Sequence, residues 1–297
     1  GNQKKRYLRE RWRGAAELYN IEETRIRSEE LLDDKEMEAF QKSRRNWKIK
    51  ENYERFCEGD IRFIPYYSGE YPQKLKELPA MPYALFVKGR IPAADCPAAA
   101  IVGARRCSGY GEQMALSFGE ELAKNGFIIV SGMAKGVDGI AHRGALNGGG
   151  LTYAVLGCGP DICYPRENKG LYRDILKKGG ILSEYPPGTM PLPIHFPARN
   201  RIISGLSDIV LVIEARERSG SLITADMALE QGRDVYALPG PVTSELSRGC
   251  NCLIKQGAEV LLSPDELLRE SGIWQRISKS DNSKNSLKNK KMLESTE

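Results

Sequence analysis

Histidine is nearly missing from this chain. Of 297 residues, two are histidine, His142 and His195. The seven cysteines include no CxxC pair; the tightest spacings are Cys250 to Cys252 and Cys158 to Cys163. That leaves too few nitrogen and sulfur ligands, wrongly spaced, for a structural zinc site. No run approaches the ~20 apolar residues a membrane-spanning helix needs, so no membrane partner is expected. An odd cysteine count without a secretory leader points to a reducing, cytoplasmic setting. HExxH is absent, and neither histidine has a nucleophile near it in sequence. Glu184 and Glu214 could act as acid and base, but two carboxylates are thin grounds for catalysis, so neither an enzyme nor a cofactor is expected. Nor does one sign of charge dominate. Lys and Arg number 44 against 39 Asp and Glu, a net +5, which permits a polyanionic partner without requiring one.

What the chain does have is order along its length. Hydrophobic residues make up 41%, enough for one large domain and a smaller one. Residues 1–60 are dense in Arg, Lys and Glu, with Leu8, Trp12, Ala15, Ala16 and Tyr19 at helical spacing. Further helices are expected over Leu31–Phe40 and Trp47–Phe56, making a small helical domain with solvated charges. Residues 61–95 read as a connector packing on the core, with strand-like runs at Arg62–Pro65 and Ala84–Lys88. Over 96–272, apolar runs such as "AAAIVG", "FIIVSG", "LTYAVLG" and "DIVLVIEA" alternate with amphipathic helices. Strands apolar on both faces predict an α/β fold, its mostly parallel sheet covered by helices on both sides. Residues 273–297, rich in Ser, Asn and Lys, read as a flexible tail.

Ligands of such folds bind at the carboxyl ends of the strands. That edge gathers Gly103–Gly111, Ser131–Gly139, Gly157–Gly159, Ser183–Glu184, Glu214–Ser221 and Pro239–Gly240. Three of these are Gly-rich turns leading into helices. Glycine there either lets backbone N–H groups close on an anion or serves only a tight turn. Charge favours the anion. Arg105 and Arg106 follow the first core strand, with Ser108 in the same turn. Gly132 and Lys135 lie in the second turn, and Arg143 opens the next helix beside His142. Cations near helix N-termini oppose the helix dipole unless an anion joins them.

The stretch His195–Asp208, "HFPARNRIISGLSD", concentrates these features. On a helix at 100° per residue, Arg199 points with Ile202, Ile203 and Leu206 toward the buried side, and Arg201 points nearly opposite. A buried guanidinium needs a counterpart. Two readings stand: a salt bridge from Arg199 to Glu184 or Glu214, or an Arg199 that lines the edge and takes a phosphate. His195 and Phe196 could stack a base; Phe196 could equally be a core aromatic. Asn200 and Arg201 complete the candidate set.

The motifs "IVGARRCSGYG", "SGMAKGVDGIAHRGAL", "VLGCGPDICYP", "SEYPPG", "FPARNRIISGLSDIVLVIEA", "SGSLITADMALEQGRDVYALPG" and "GCNCLIKQGA" occur in one order. In sequence and spacing the chain closely resembles the DNA-processing protein A (DprA, or Smf) family over roughly residues 60–268. The resemblance implies an extended Rossmann-like domain preceded by a sterile-alpha-motif-like helical domain. It also implies a homodimer that binds single-stranded DNA, protects incoming strands and loads RecA recombinase during natural transformation. Arg105 carries over from the family's glycine-x-arginine turn, and Phe196, Arg199 and Arg201 from its basic and aromatic segment. Many members end in a winged-helix domain, for which this sequence has no counterpart.

Rival readings on related folds are a nucleotide-binding sensor and a nucleoside-monophosphate phosphoribohydrolase. The second needs a Pro-Gly-Gly-x-Gly-Thr loop. The nearest stretch, "LPGPVTSELSRG", has Pro241 in place of the second glycine, which removes a backbone donor. A dinucleotide enzyme is disfavoured because the glycines after the first strand fall at 103, 109 and 111, not as GxGxxG.

Overall fold

The computed structural model describes residues 2–11, 21–28, 32–46 and 48–270. The positions Trp12, Ala15, Ala16, Tyr19, Leu31 and Trp47 and the tail from 273 lie outside them. The first elements are helices: α1 (Asn2–Arg11), α2 (Glu23–Ser28), α3 (Asp34–Asn46) and α4 (Ile49–Glu58). Apolar positions are sparse in the first three, which share one small cluster, Leu8, Ile21, Ile26 and Met37, with Leu32 and Phe40 against it.

Nine strands then form one sheet in the order β1-β2-β6-β5-β4-β3-β7-β8-β9. Its centre is β3 (Ala98–Val102), flanked in parallel by β4 (Ile128–Ser131) and β7 (Ile209–Val212). On one side follow β5 (Thr152–Leu156) and β6 (Gly180–Ser183), and on the other β8 (Asp234–Ala237) and β9 (Glu259–Val260), all parallel. Strand order therefore reverses between β3 and β7, the switch point of a Rossmann-like sheet. Every residue of β3, β4, β5, β6 and β7 is buried, as strands covered on both faces must be.

The segment between the helices and the core contributes to this sheet. Strand β1 (Ile61–Pro65) pairs antiparallel with β2 (Ala84–Gly89), and β2 pairs antiparallel with β6. Between them, Leu75 from the short α5 (Gln73–Lys76) joins the core beside Leu78. Phe56 of α4 meets Phe86 of β2 edge-on, ring centroids 5.5 Å apart.

Two helical layers cover the core. On one face lie α9 (His195–Leu206), α10 (Gly220–Glu230) and α11 (Glu245–Lys255), through Ile202, Ile203, Ala225 and Leu253. On the other lie α6 (Gly109–Lys124), α7 (Val137–Asn147) and α12 (Pro264–Glu270), through Phe118, Leu122, Ala141 and Leu267, with α8 (Lys169–Lys178) at the β5–β6 end. Helix α6 shows how the sequence punctuates these elements. Ser108 caps it by accepting from Gly111 N at 3.2 Å, and Gly126 at φ +83° turns the chain out of it. Among the described residues no helix is long and apolar enough to cross a membrane, and all seven cysteines are free thiols.

Helices α6 and α7 pack backbone to backbone: a Cβ on Gly119 would fall 2.5 Å from the Ala141 carbonyl oxygen. Replacing Gly119 by Val should cost about 1–3 kcal/mol by overpacking, read as a lower urea midpoint. An unchanged midpoint would show that the two helices can separate freely.

Candidate nucleic-acid interface

A cleft of about 610 Å³ opens at the switch point. The β3–α6 turn (Gly103–Arg106) supplies one wall, the mouth of α9 (Pro193, Phe196, Pro197, Arg199, Asn200) a second, and the β7–α10 loop (Arg216, Arg218–Ser221) a third. Sequence order scatters these residues over more than a hundred positions. The reversal of strand order brings them together, because β3 and β7 are hydrogen-bonded neighbours.

Arg199 is the buried cation at the floor, 6% exposed. It lies on the inner side of α9 with Ile202, Ile203 and Leu206, as the 100° spacing predicts. Its counterpart is neither of the glutamates expected from the sequence. Nη1 donates to the Gly132 carbonyl at 2.8 Å and to the Val155 carbonyl. Glu184 is instead held by Arg201, Nη2 to Oε2 at 2.6 Å. Glu214 accepts from the Ser108 amide at 2.8 Å and the Ser108 hydroxyl at 2.5 Å, anchoring the start of α6. The carboxylate that shares Arg199's charge is Asp138, itself buried. Burial pushes the Asp138 carboxyl up from its ordinary value, and the Arg199 cation opposes that push. Asp138 in turn accepts from Gly132 N at 3.1 Å. Gly132 is a glycine because a Cβ there would collide with the Arg199 guanidinium.

Above this floor the side chains pair in layers. The Arg105 guanidinium carbon lies 5.6 Å from the Phe196 ring centroid, a cation–π distance. The Tyr164 ring lies 5.5 Å from Phe196 at 32°. Asn200 donates to the Gly220 carbonyl at 3.1 Å, tying α9 to the start of α10. Arg105, Arg106 and Arg218 are exposed, and among the described residues no carboxylate pairs with them.

Of the ten candidate residues, the structure brings Arg105, Phe196, Arg199 and Asn200 to the cleft lining. Gly132 and Ser108 support it from beneath. His195 faces away, its ring stacked on Tyr185 with centroids 4.0 Å apart and its Nδ1 donating to the Gly157 carbonyl at 3.1 Å. Arg201 is engaged by the Ala80 and Ala198 carbonyls as well as Glu184. Lys135 pairs with Glu167 and Arg143 with Asp174, both outside the cleft. Arg143 does not open its helix. Helix α7 starts at Val137, which puts Arg143 past its first turn, where the dipole argument no longer applies. Tyr164, Arg218 and Ser219–Ser221 line the cleft without having been singled out by residue. The Gly-rich-turn signal passes over Tyr164, which sits in a loop just before Pro165, 32 residues upstream of its ring partner Phe196.

The model of the DNA recombination-mediator protein A family matches residues 62–272. The chain belongs to that family. It is 48% identical over 200 residues to DNA processing protein DprA of Streptococcus pneumoniae, covering 67% of this chain and 71% of that one. It is 49% identical over 206 residues to protein Smf of Escherichia coli, covering 69% and 55%; the match thus spans about half of that relative's length. The crystal structure of the pneumococcal DprA superposes with a TM-score of 0.73 at 41% identity, over 79% of this chain and 82% of that one. A DprA structure from Helicobacter pylori, described for its single-stranded DNA binding mode, gives 0.64 at 33%, over 71% and 96%.

Two outcomes are expected from the floor of the cleft. Arg199→Ala leaves Asp138 buried without its cation and should destabilise the fold by about 3–5 kcal/mol, read by thermal or urea melting. A variant that melts like wild type would show that Asp138 needs no buried cation. The second concerns His142, fully buried in α7, whose Nδ1 lies 2.6 Å from Thr152 Oγ1. Thr152 already donates to the Ile129 carbonyl, so Nδ1 carries the proton. Burial first, and the Arg199 charge second, push its pKa down to about 3. An unfolded histidine titrates near 6.5. The stability it confers is thus present above that pH and lost at up to ~1.4 kcal/mol per unit as pH falls toward about 3. Between pH 7.5 and 5, wild type should lose about 2 kcal/mol more than His142→Gln in urea titrations; parallel losses would contradict a neutral His142.

Proposed function

We propose that this chain binds single-stranded DNA in the switch-point cleft and acts as a recombination mediator, with no chemical step of its own. The observation that carries this reading is the coincidence, in one cleft, of Arg105, Arg106 and Arg218, exposed and without ion-pair partners among the described residues, and an aromatic wall of Phe196 and Tyr164. Cations without acids suit a phosphate backbone, and aromatic faces suit unpaired bases regardless of their identity. In a duplex the base faces are already covered by the neighbouring base pairs, so a duplex cannot use the aromatic wall. Arg105 and Asn200 are the contacts we assign first, with Arg199 forming the floor beneath them and Phe196 the brace beside them. Gly132 and Ser108 hold them in place, whereas Lys135, Arg143, His195 and Arg201, each engaged elsewhere, are not assigned as contacts. Family membership supports extending this to the mediator role: protection of incoming strands, loading of RecA recombinase during natural transformation, and action as a cytoplasmic homodimer.

Fluorescence anisotropy with a labelled oligo-dT of about 30 nucleotides, a length that exceeds a single binding site, tests the reading against its duplex at several salt concentrations. Wild type should prefer the single strand, with affinity falling steeply in salt. Arg105→Ala should weaken binding across all sequences and lower the salt slope by about 0.7. Equal binding of duplex and single strand, or an unchanged slope, would overturn it. A preference for mononucleotides over the oligonucleotide would favour a nucleotide sensor instead.

A further inference from the structure

The cleft lining holds two kinds of side chain. Arg105 and Arg106 come from the β3–α6 turn and Arg218 from the β7–α10 loop. Among them lie the aromatic rings of Phe196 and Tyr164, beside Pro193. Phe196 and His195 are the sequence's natural choices for stacking a base, yet each already has a partner. Phe196 is half-buried, with the Arg105 guanidinium 5.6 Å from its ring and the Tyr164 ring at 5.5 Å. His195 lies against Tyr185 at 4.0 Å and is hydrogen-bonded to Gly157. Tyr164 is 41% exposed and lines the cleft. Its loop is tied down on both sides. Gly159 N donates to Thr189 O at 2.9 Å, Asn168 N to Pro165 O at 3.1 Å, and Asn168 Nδ2 to Met133 O at 2.9 Å. An aromatic ring on a fixed loop loses little conformational entropy when a base covers it.

We propose that Tyr164 is the base-stacking platform of the cleft, and that Phe196 is the backing that holds the Tyr164 ring and the Arg105 guanidinium on either hand. A nucleotide then sits with its base on Tyr164 and its phosphate toward the arginine wall. This rests on the single-strand-binding reading and adds to it the residue that distinguishes a base from bare backbone.

The test compares a labelled dT oligonucleotide with an abasic one of equal length, for wild type, Tyr164→Ala and Tyr164→Phe. Tyr164→Ala should bind dT about tenfold more weakly while keeping its abasic affinity within about twofold, because stacking is the only contact removed. Its salt slope should be unchanged, and Tyr164→Phe should behave as wild type. Three results would each overturn the proposal: full dT affinity in Tyr164→Ala, equal losses on dT and abasic strands, or a Tyr164→Phe as weak as Tyr164→Ala. A large fall in melting temperature for Tyr164→Ala would do the same, since it would make the ring structural. If wild type binds neither oligonucleotide, the single-strand reading itself fails, an outcome separate from all of these.

Discussion

The fold around the cleft depends on one buried guanidinium. Arg199 reaches from α9 to the carbonyls of Gly132, just past β4, and Val155 in β5, so a single side chain fastens a helix on one face to two strand ends. Around it the sequence is constrained on every side. Gly132 must lack a side chain, Asp138 must be buried near enough to share the charge, and His142 must stay neutral. A charge so deep is stable only while its donors are satisfied and a counter-charge is close, which is why Gly132 in the β4–α7 connection and Asp138 at the start of α7 are tied to α9.

That constraint decides what the exposed arginines can do. With Arg199 engaged by carbonyls below, Arg105, Arg106 and Arg218 remain on the rim with no carboxylate partners among the described residues. Cations held together at a helix-rich edge repel one another and oppose the dipoles of α6 and α10. A polyanion that enters the cleft relieves both effects. The same division of labour runs through the aromatics: Phe196 braces, while Tyr164, more exposed, faces outward. Structural and ligand-binding roles are thus split between neighbouring residues of like chemistry.

Much of this was legible beforehand, for physical reasons. Strands buried on both faces have to be continuous apolar runs, so β3 to β8 stood out, and the alternation with helices gave the parallel sheet. The burial of Arg199 followed from helical periodicity alone. Its partners did not, because backbone carbonyls at strand ends leave no mark in a sequence; the visible carboxylates, Glu184 and Glu214, were the natural but wrong candidates. Lys135 and Arg143 drew notice for their place near glycine turns, yet Glu167 and Asp174, about thirty residues away, meet them in space. The antiparallel docking of β2 on β6 joins segments almost a hundred residues apart, and short-range patterns carry nothing about such pairings. Tyr164 was hidden because a Tyr-Pro pair in a loop reads as a turn, and only the folded chain sets its ring against Phe196.

The claim beneath all of this is positional: a single strand occupies the switch-point cleft and no other face. Amide hydrogen exchange with and without a saturating oligo-dT tests that most directly. Protection concentrated in 103–106, 161–164, 193–200 and 216–221, with 140–143 and 166–171 unaffected, is what the structure predicts. Protection centred on the Arg143–Glu167 face or on the N-terminal helices, with the cleft unchanged, would contradict it.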